Sequence, residues 1–247
     1  MTSLAYMGIM LSAIVTGAVL LRLFQEKLDL AWWEKLGIGV GGFCGAMIGA
    51  KLPFALHDWQ GMIDGTAWFA HGKTIVAGLL GGYFGVELAK WVLEVRTKTG
   101  DSFVVPVAAS IGIGRWACYV GGCCFGQACS LPWGTTFPLA PDGGTLLRHP
   151  TQIYESIFHL TCAVVFFVLW KKKMFPGQLF KIYLIAYMTY RFFTEWLRPE
   201  PVYALGLTAY QWAALAAIPL FAWLIYRDHR LLTGATKTEP TMMGGSE

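Results

Sequence analysis

The chain has 247 residues, of which 55% are hydrophobic and only 14% are charged, and its mean hydropathy is +0.51. Soluble domains carry about 25% charged residues, so this composition excludes a typical soluble enzyme, a coiled coil and a disordered protein. The net charge of +4 gives no support to nucleic-acid binding.

Seven stretches are apolar and long enough to cross a bilayer, which takes about 20 residues. The first has no charge and lacks the basic start of a secretory signal, which predicts a retained helix. We expect residues 1–232 to form one all-α, polytopic membrane domain and residues 233–247 to form a flexible cytoplasmic tail. The predicted spans are roughly 4–22, 36–56, 74–92, 103–120, 153–170, 179–196 and 206–226.

The distribution of Lys and Arg predicts the orientation of these seven helices. Thirteen of these residues lie before residue 36, after span seven, or in or at the edges of the connections between spans three and four and between spans five and six. The opposite loops hold three. Because basic loops stay cytoplasmic, we expect the N-terminus outside and the C-terminus inside, with a long external loop between helices 4 and 5, at about residues 121–152.

Spans two and three carry glycines at helical spacing. Glycine faces of this kind favour close helix packing, and they could instead leave room for a lipid chain. The glycines are Gly37, Gly41, Gly45 and Gly49 in span two, and Gly78, Gly81, Gly82 and Gly85 in span three.

Two arginines fall inside predicted spans, where a charge is costly unless it is paired or hydrated. Arg115 follows Gly114 in span four, and a purely structural role would pair it with a carboxylate such as Glu87 or Glu195. Arg191 lies four residues before Glu195 in span six, so the two side chains should share a helix face. Either the two residues only form an internal ion pair, or the carboxylate of Glu195 orients the Arg191 guanidinium towards an anionic ligand.

The predicted external loop ends in a polar cluster at the start of span five. Its side chains can donate to or accept from a phosphate, which favours a binding site, although a lone histidine there would more often be structural. The cluster consists of Arg148, His149, Gln152, Tyr154 and Glu155.

Four cysteines lie in the order Cys-x4-Cys-Cys-x4-Cys on the predicted external side. A disulfide is plausible there, and a catalytic thiol or redox pair stays open. No metal site is expected, because the spacing matches no common zinc pattern. The four residues are Cys118, Cys123, Cys124 and Cys129.

The order of these segments resembles the prolipoprotein diacylglyceryl transferase family. The most specific segment is residues 149–155, and the topology derived above is also that of the family. The other matching segments are residues 71–82, Gly114-Arg115, residues 191–198 and residues 206–211.

The resemblance implies an enzyme that transfers a diacylglyceryl group from phosphatidylglycerol to the lipobox cysteine thiol of a prolipoprotein signal peptide. It also implies a site in the lipid bilayer, at the outer face of the bacterial inner membrane, and no cofactor. The essential arginines of the family fall on Arg115 and Arg191. Val76 occupies the position of the family's histidine, and the nearest histidine is His71, five residues earlier. His149 lies in the better-matched segment, so both histidines are candidate proton acceptors, with His149 preferred.

Further substrate contacts are expected from polar residues around these positions, namely Arg148, Gln152, Tyr154, Glu155, Glu195 and Gly114. Cys118, Gly121 and Cys123 stand where the family has two asparagines and a glutamate. The alternatives are therefore a diverged member that transfers a lipid or headgroup to another acceptor, and a membrane thiol oxidoreductase that uses Cys123 and Cys124. A transporter is disfavoured, because the charges gather at one face of the membrane.

Overall fold

The computed structural model describes residues 2–66 and 74–235, and within these ranges the chain is helical, with isolated β-bridges and no strand. Two 3-10 turns, Glu195–Leu197 and Ala204–Gly206, lie between the last two helices. The helices are α1 (Thr2–Gln25), α2 (Trp32–His57), α3 (Trp59–Ile63), α4 (Ile75–Val92), α5 (Gly100–Val120), α6 (Thr151–Lys171), α7 (Leu179–Thr194) and α8 (Ala209–Ala235).

Six of the described helices, α1, α2, α4, α5, α6 and α8, are long and apolar enough to cross a membrane. This confirms an all-helical, multi-pass membrane protein. The predicted sixth span corresponds to α7, which has 16 residues and is therefore about 24 Å long, less than the hydrocarbon core of a bilayer. His71 and residues 236–247, most of the predicted tail, lie outside the described residues.

The outer faces of the helices are apolar, which suits a lipid environment. In α1, the side chains of Leu11, Ile14 and Val19 are 62%, 63% and 53% exposed. Helices are suited to this environment because each pairs its own backbone donors and acceptors internally, which hydrocarbon requires.

The glycine faces of α2 and α4 pack against each other, backbone to backbone. A Cβ atom on Gly45 would lie 2.9 Å from the Cα of Gly85, and one on Gly81 would lie 2.9 Å from the Cα of Gly49. Closely approaching backbones gain dispersion energy without side-chain ordering. The packing interpretation of these glycines is therefore confirmed for this helix pair.

The core of the bundle lies around α5, which packs against α1 and α6 and also contacts α7. Its buried Val104 and Ala108 belong to one apolar cluster with Tyr183 and Leu184 of α7 and Phe221 of α8. This packing fixes the C-terminal end of α5 beside the N-terminal end of α6 and the C-terminal half of α7, where the buried polar side chains converge.

Candidate active site

Arg115, Glu155 and Tyr187 form a buried network between α5, α6 and α7. The Arg115 guanidinium donates to Oε2 of Glu155, and the Tyr187 hydroxyl donates to Oε1 of the same carboxylate at 2.6 Å. The sequence suggested Glu87 or Glu195 as the partner of Arg115. Glu87 instead pairs with Lys90, and Glu195 pairs with Arg191. Both oxygens of Glu155 are thus engaged, which keeps a charged pair stable in a buried site.

His159 lies one helical turn after Glu155 and was missed from the sequence. Its Nε2 is 3.8 Å from Oε1 of Glu155, and its Nδ1 is 2.8 Å from the hydroxyl of Tyr183. The available signal was a histidine four residues from a carboxylate inside an apolar span, a pattern that marks functional or paired polar groups in membranes.

Arg191 and Glu195 form the ion pair that their spacing predicted, with Nη2 and Oε2 2.9 Å apart. The Thr208 hydroxyl donates to Oε1 of Glu195 at 3.1 Å, and the guanidinium lies 4.7 Å from the ring centroid of Tyr210. Arg191 also acts electrostatically on Glu155, so this pair and the Arg115 network belong to one site.

Arg198 adds a third guanidinium. It is 9% exposed, and Nη2 is 3.4 Å from Oε1 of Glu200. Its Nε and Nη1 have no hydrogen-bond partner among residues 2–66 and 74–235. Arg198 interacts electrostatically with Arg115 and Glu155. Buried N–H donors without acceptors are costly, so the site is suited to an anionic ligand.

The polar cluster before and within the first turn of α6 divides into two groups. Gln152 and Glu155 point into the bundle, and Nε2 of Gln152 donates to the Cys123 carbonyl at 2.6 Å. His149 and Tyr154 face the preceding loop, with Nδ1 3.4 Å from the Tyr154 hydroxyl. That hydroxyl also accepts from Nε1 of Trp133 at 2.8 Å.

Residues 121–150 form a folded connection between α5 and α6. Arg148 forms β-bridges with Ala128 and Thr135, and its guanidinium donates to Asp142 and lies 5.2 Å from the ring centroid of Phe125. Arg148 is therefore held by the loop itself, so a role for it in ligand binding remains a prediction.

The pairing of Asp142 predicts acid sensitivity of this loop. The backbone N–H of Leu146 and the guanidinium of Arg148 lower the pKa of Asp142 to about 2, from an ordinary value of 3.8. Because the folded pKa is depressed, the pairing stabilises the loop fully above about pH 4. We expect this stabilisation to be lost as the pH falls towards 2, with faster amide exchange at residues 142–148 after correction for intrinsic rates. Asp142→Asn should exchange rapidly at pH 5 already, and equal protection in both proteins at pH 5 would contradict the assignment.

An apolar cavity of about 480 Å³ lies beside the helix pair α2 and α4. Gly39 and Gly42 of α2, Gly78 of α4, and Ile111 of α5 are among its lining residues. Ile111 lies one helical turn before Arg115, so the cavity runs along α5 towards the charged site. Gly114, expected to contact substrate, faces α1, with its missing Cβ 3.9 Å from the Cβ of Ala13.

All six cysteines are free thiols in the structure, so the plausible disulfide is not formed. Three of them converge: the Sγ atoms of Cys118, Cys123 and Cys124 all lie within 4.8 Å of one another. The Nη1 atom of Arg115 is 3.9 Å from Sγ of Cys118, so this cluster borders the buried charges.

Comparisons with known proteins show the family to which the chain belongs. Residues 3–227 match the sequence model of a family described as prolipoprotein diacylglyceryl transferase. The chain is 32% identical to the phosphatidylglycerol–prolipoprotein diacylglyceryl transferase of Clostridium tetani, over 76% of this chain and 78% of that protein. It is 31% identical to the protein of the same name from Azotobacter vinelandii, over 84% of this chain and 81% of that protein. The similarly named protein of Chlorobaculum tepidum is 33% identical, over 75% of this chain and 69% of that protein.

Proposed function

Since the chain belongs to the prolipoprotein diacylglyceryl transferase family, we propose that it transfers the diacylglyceryl group of phosphatidylglycerol to the lipobox cysteine thiol of a prolipoprotein. The observation that carries this proposal is a set of three buried guanidiniums, Arg115, Arg191 and Arg198. The Nε and Nη1 atoms of Arg198 have no acceptor among the described residues. Phosphate oxygens can accept from these donors, and guanidiniums bind phosphate in a bidentate geometry.

The donor lipid enters with its acyl chains in the apolar cavity beside α2 and α4. The cavity volume of about 480 Å³ is within the range of small-molecule sites. Chains lying along α5 past Ile111 would bring the headgroup to Arg115, one turn further on. The same helix thus supplies the apolar wall and the first cation.

The reaction forms one bond and breaks another. The cysteine sulfur attacks the diacylglyceryl carbon, the carbon–sulfur bond forms, and the bond from this carbon to the phosphate oxygen breaks. Glycerol phosphate leaves with the bonding electrons, and the thiol proton passes to a base. Preorganised cations stabilise charge that develops on the leaving phosphate, which is the role we assign to Arg115 and Arg191, with Arg198 beside them.

The base is assigned to a histidine, His149 in preference to His71, because imidazole can accept and return a proton near neutral pH. The contact of His149 with Tyr154 supports this choice by orienting the ring. We expect His149→Gln to lower the transfer rate on the order of 100-fold, as the loss of a general base does, and His71→Gln to have a smaller effect. The rates are measured at equal amounts of membrane-inserted protein. If only His71→Gln loses activity, the base is His71; if both variants stay active, a carboxylate such as Glu155 or Glu195 takes that role.

The proposed topology has seven crossings, with α7 as the sixth, the N-terminus outside and the loop 121–150 at the outer face of the bacterial inner membrane. The distribution of basic residues supports it, as does the position of α7 between α6 and α8 in the chain. Reporter fusions after residues 97 and 172 should indicate the cytoplasm, and a fusion near residue 140 should indicate the outside. An outside signal at residue 172 would exclude this orientation.

The proposed reaction is tested by the release of its leaving group. Purified protein is incubated with headgroup-labelled phosphatidylglycerol and a peptide that carries a lipobox cysteine. We expect release of labelled glycerol phosphate that depends on the peptide, and no release when the acceptor cysteine is changed to serine. Release that is equal with both peptides would indicate another acceptor and contradict the proposal.

A further inference from the structure

Three thiols converge at the C-terminal end of α5, although their order along the chain does not predict it. Cys118 lies in the last turn of the helix, and Cys123 and Cys124 follow it in the connection to α6. The Sγ atoms of Cys123 and Cys124 are 3.8 Å apart, and all three lie within 4.8 Å of one another. Neighbouring residues in an extended chain point in opposite directions, so a local turn must bring these two side chains together.

The turn depends on two residues with left-handed backbone conformation. Gly122 has φ of 67°, and Cys124 has φ of 60°, which is uncommon for a residue with a side chain. The backbone N–H of Cys123 also donates to the carbonyl of Cys118 at 3.1 Å. The chain therefore folds back over the end of α5, and both new thiols face Cys118.

The start of α6 holds this turn in place. The Thr151 hydroxyl donates to the carbonyl of Cys124 at 2.7 Å, and Nε2 of Gln152 donates to the carbonyl of Cys123 at 2.6 Å. Each of the two consecutive carbonyls thus has its own side-chain donor. The uncommon conformation of Cys124 is supported by its surroundings, as backbone strain at functional sites generally is.

We propose that Cys118, Cys123 and Cys124 bind one Zn²⁺ ion through three thiolates, with the fourth position open. A tetrahedral zinc ion with bonds of about 2.3 Å holds its sulfur ligands about 3.8 Å apart, and the three thiols reach that spacing with small side-chain movements. Binding releases one proton from each thiol. The site borders the buried guanidiniums, since Nη1 of Arg115 lies 3.9 Å from Sγ of Cys118, but zinc binding is not a step of the proposed transfer.

The charges around the cluster suit this ion. Three thiolates and Zn²⁺ carry a net charge of −1, which requires a cation nearby. Both Arg115 and Arg198 act electrostatically on Cys124, and each has at least one guanidinium N–H without an acceptor among the described residues. A disulfide would use only two of the three thiols, whereas a thiophilic cation uses all three and is the ligand type that soft sulfur donors select.

The experiment measures zinc in the full-length protein, purified in detergent under reducing conditions, loaded with Zn²⁺ and dialysed. We expect about one zinc ion per chain by elemental mass spectrometry, and at least a tenfold loss of zinc in Cys123→Ser and in Cys118→Ser. Cys129→Ser is the matched control, because Cys129 lies in the same loop but outside the cluster, and it should keep its zinc. Replacement by Co²⁺ should give a thiolate-to-cobalt charge-transfer band that is lost in the same variants.

A second measurement needs no substitution, in case the variants do not fold. The zinc-loaded protein is alkylated before and after treatment with a chelator, and the peptides are mapped. Cys118, Cys123 and Cys124 should react only after chelation, whereas Cys129 should react at the same rate in both samples. Any of three results would overturn the proposal. These are a zinc content below about one tenth of an ion per chain, retention of copper in place of zinc, and alkylation that the chelator does not change.

Discussion

Arg115→Gln is expected to lower the rate of diacylglyceryl transfer on the order of 100-fold or more, because removal of one preorganised donor to a developing negative charge has an effect of this size. Arg115 is buried and bound to Glu155, one helical turn beyond Ile111, which lines the cavity that we assign to the lipid. The rate is measured per folded molecule, with thermal unfolding and size-exclusion profiles recorded for each variant.

Stability must be followed in this variant because the substitution leaves Glu155 without its cation. Breaking a buried pair in this way costs about 3–5 kcal/mol, so a lower unfolding temperature is also expected. Arg115→Lys separates the two effects, since it keeps the charge but loses the planar, bidentate geometry. It should recover most of the stability and little of the activity. The control is Arg22→Gln, because the side chain of Arg22 is 85% exposed. Full activity in Arg115→Gln would exclude the proposed role.

Gly45→Ala is expected to destabilise the protein by about 3 kcal/mol, at the upper end of the usual cost of overpacking. The new Cβ would lie 2.9 Å from the Cα of Gly85 and closer still to the carbonyl oxygen of Gly81. Both contacts are with backbone atoms, which cannot change rotamer, so α2 and α4 must move apart. The expected result is a clear drop in the unfolding temperature in detergent.

Gly39→Ala is the matched control on the same helix. Nothing lies within 4 Å of the position of its Cβ, and alanine favours the helical state over glycine by about 1 kcal/mol. This variant should be neutral or slightly stabilised. Equal unfolding temperatures for Gly39→Ala and Gly45→Ala would show that the glycine contact between α2 and α4 does not stabilise the bundle.

The sequence predicts the helices well, because a membrane requires long apolar stretches whose backbone groups pair internally. The predicted span 74–92 corresponds to Ile75–Val92, and the span 153–170 to Thr151–Lys171. The prediction that α7 crosses the membrane is not confirmed, because Lys181 and Arg191 shorten its apolar length. Apolar length alone does not establish whether such a helix crosses the membrane.

Local contacts in the site follow from the sequence, and distant contacts do not. The pair Arg191 and Glu195 is set by one helical turn and was expected. The partner of Arg115 is 40 residues away, and the sequence had suggested Glu87 or Glu195 in its place. The packing of α5 against α6 brings Glu155 to Arg115 instead.

The thiol cluster shows a second limit of sequence analysis. The spacing of Cys118, Cys123 and Cys124 predicts no zinc site, because it matches none of the common ligand patterns. Their convergence depends on the left-handed conformation of Cys124 and on hydrogen bonds from α6. Neither feature has a signature in the order of residues along the chain.

The most direct test of the proposed transfer is the mass of the acceptor peptide itself. Purified protein is incubated with phosphatidylglycerol of one defined acyl composition and a lipobox peptide, and the peptide is analysed by intact and fragment mass spectrometry. We expect a mass increase equal to one diacylglyceryl group, located on the cysteine sulfur through a thioether, and no increase with Arg115→Gln. An unmodified peptide in the presence of folded protein and lipid, or a lipid attached at another residue, would contradict it.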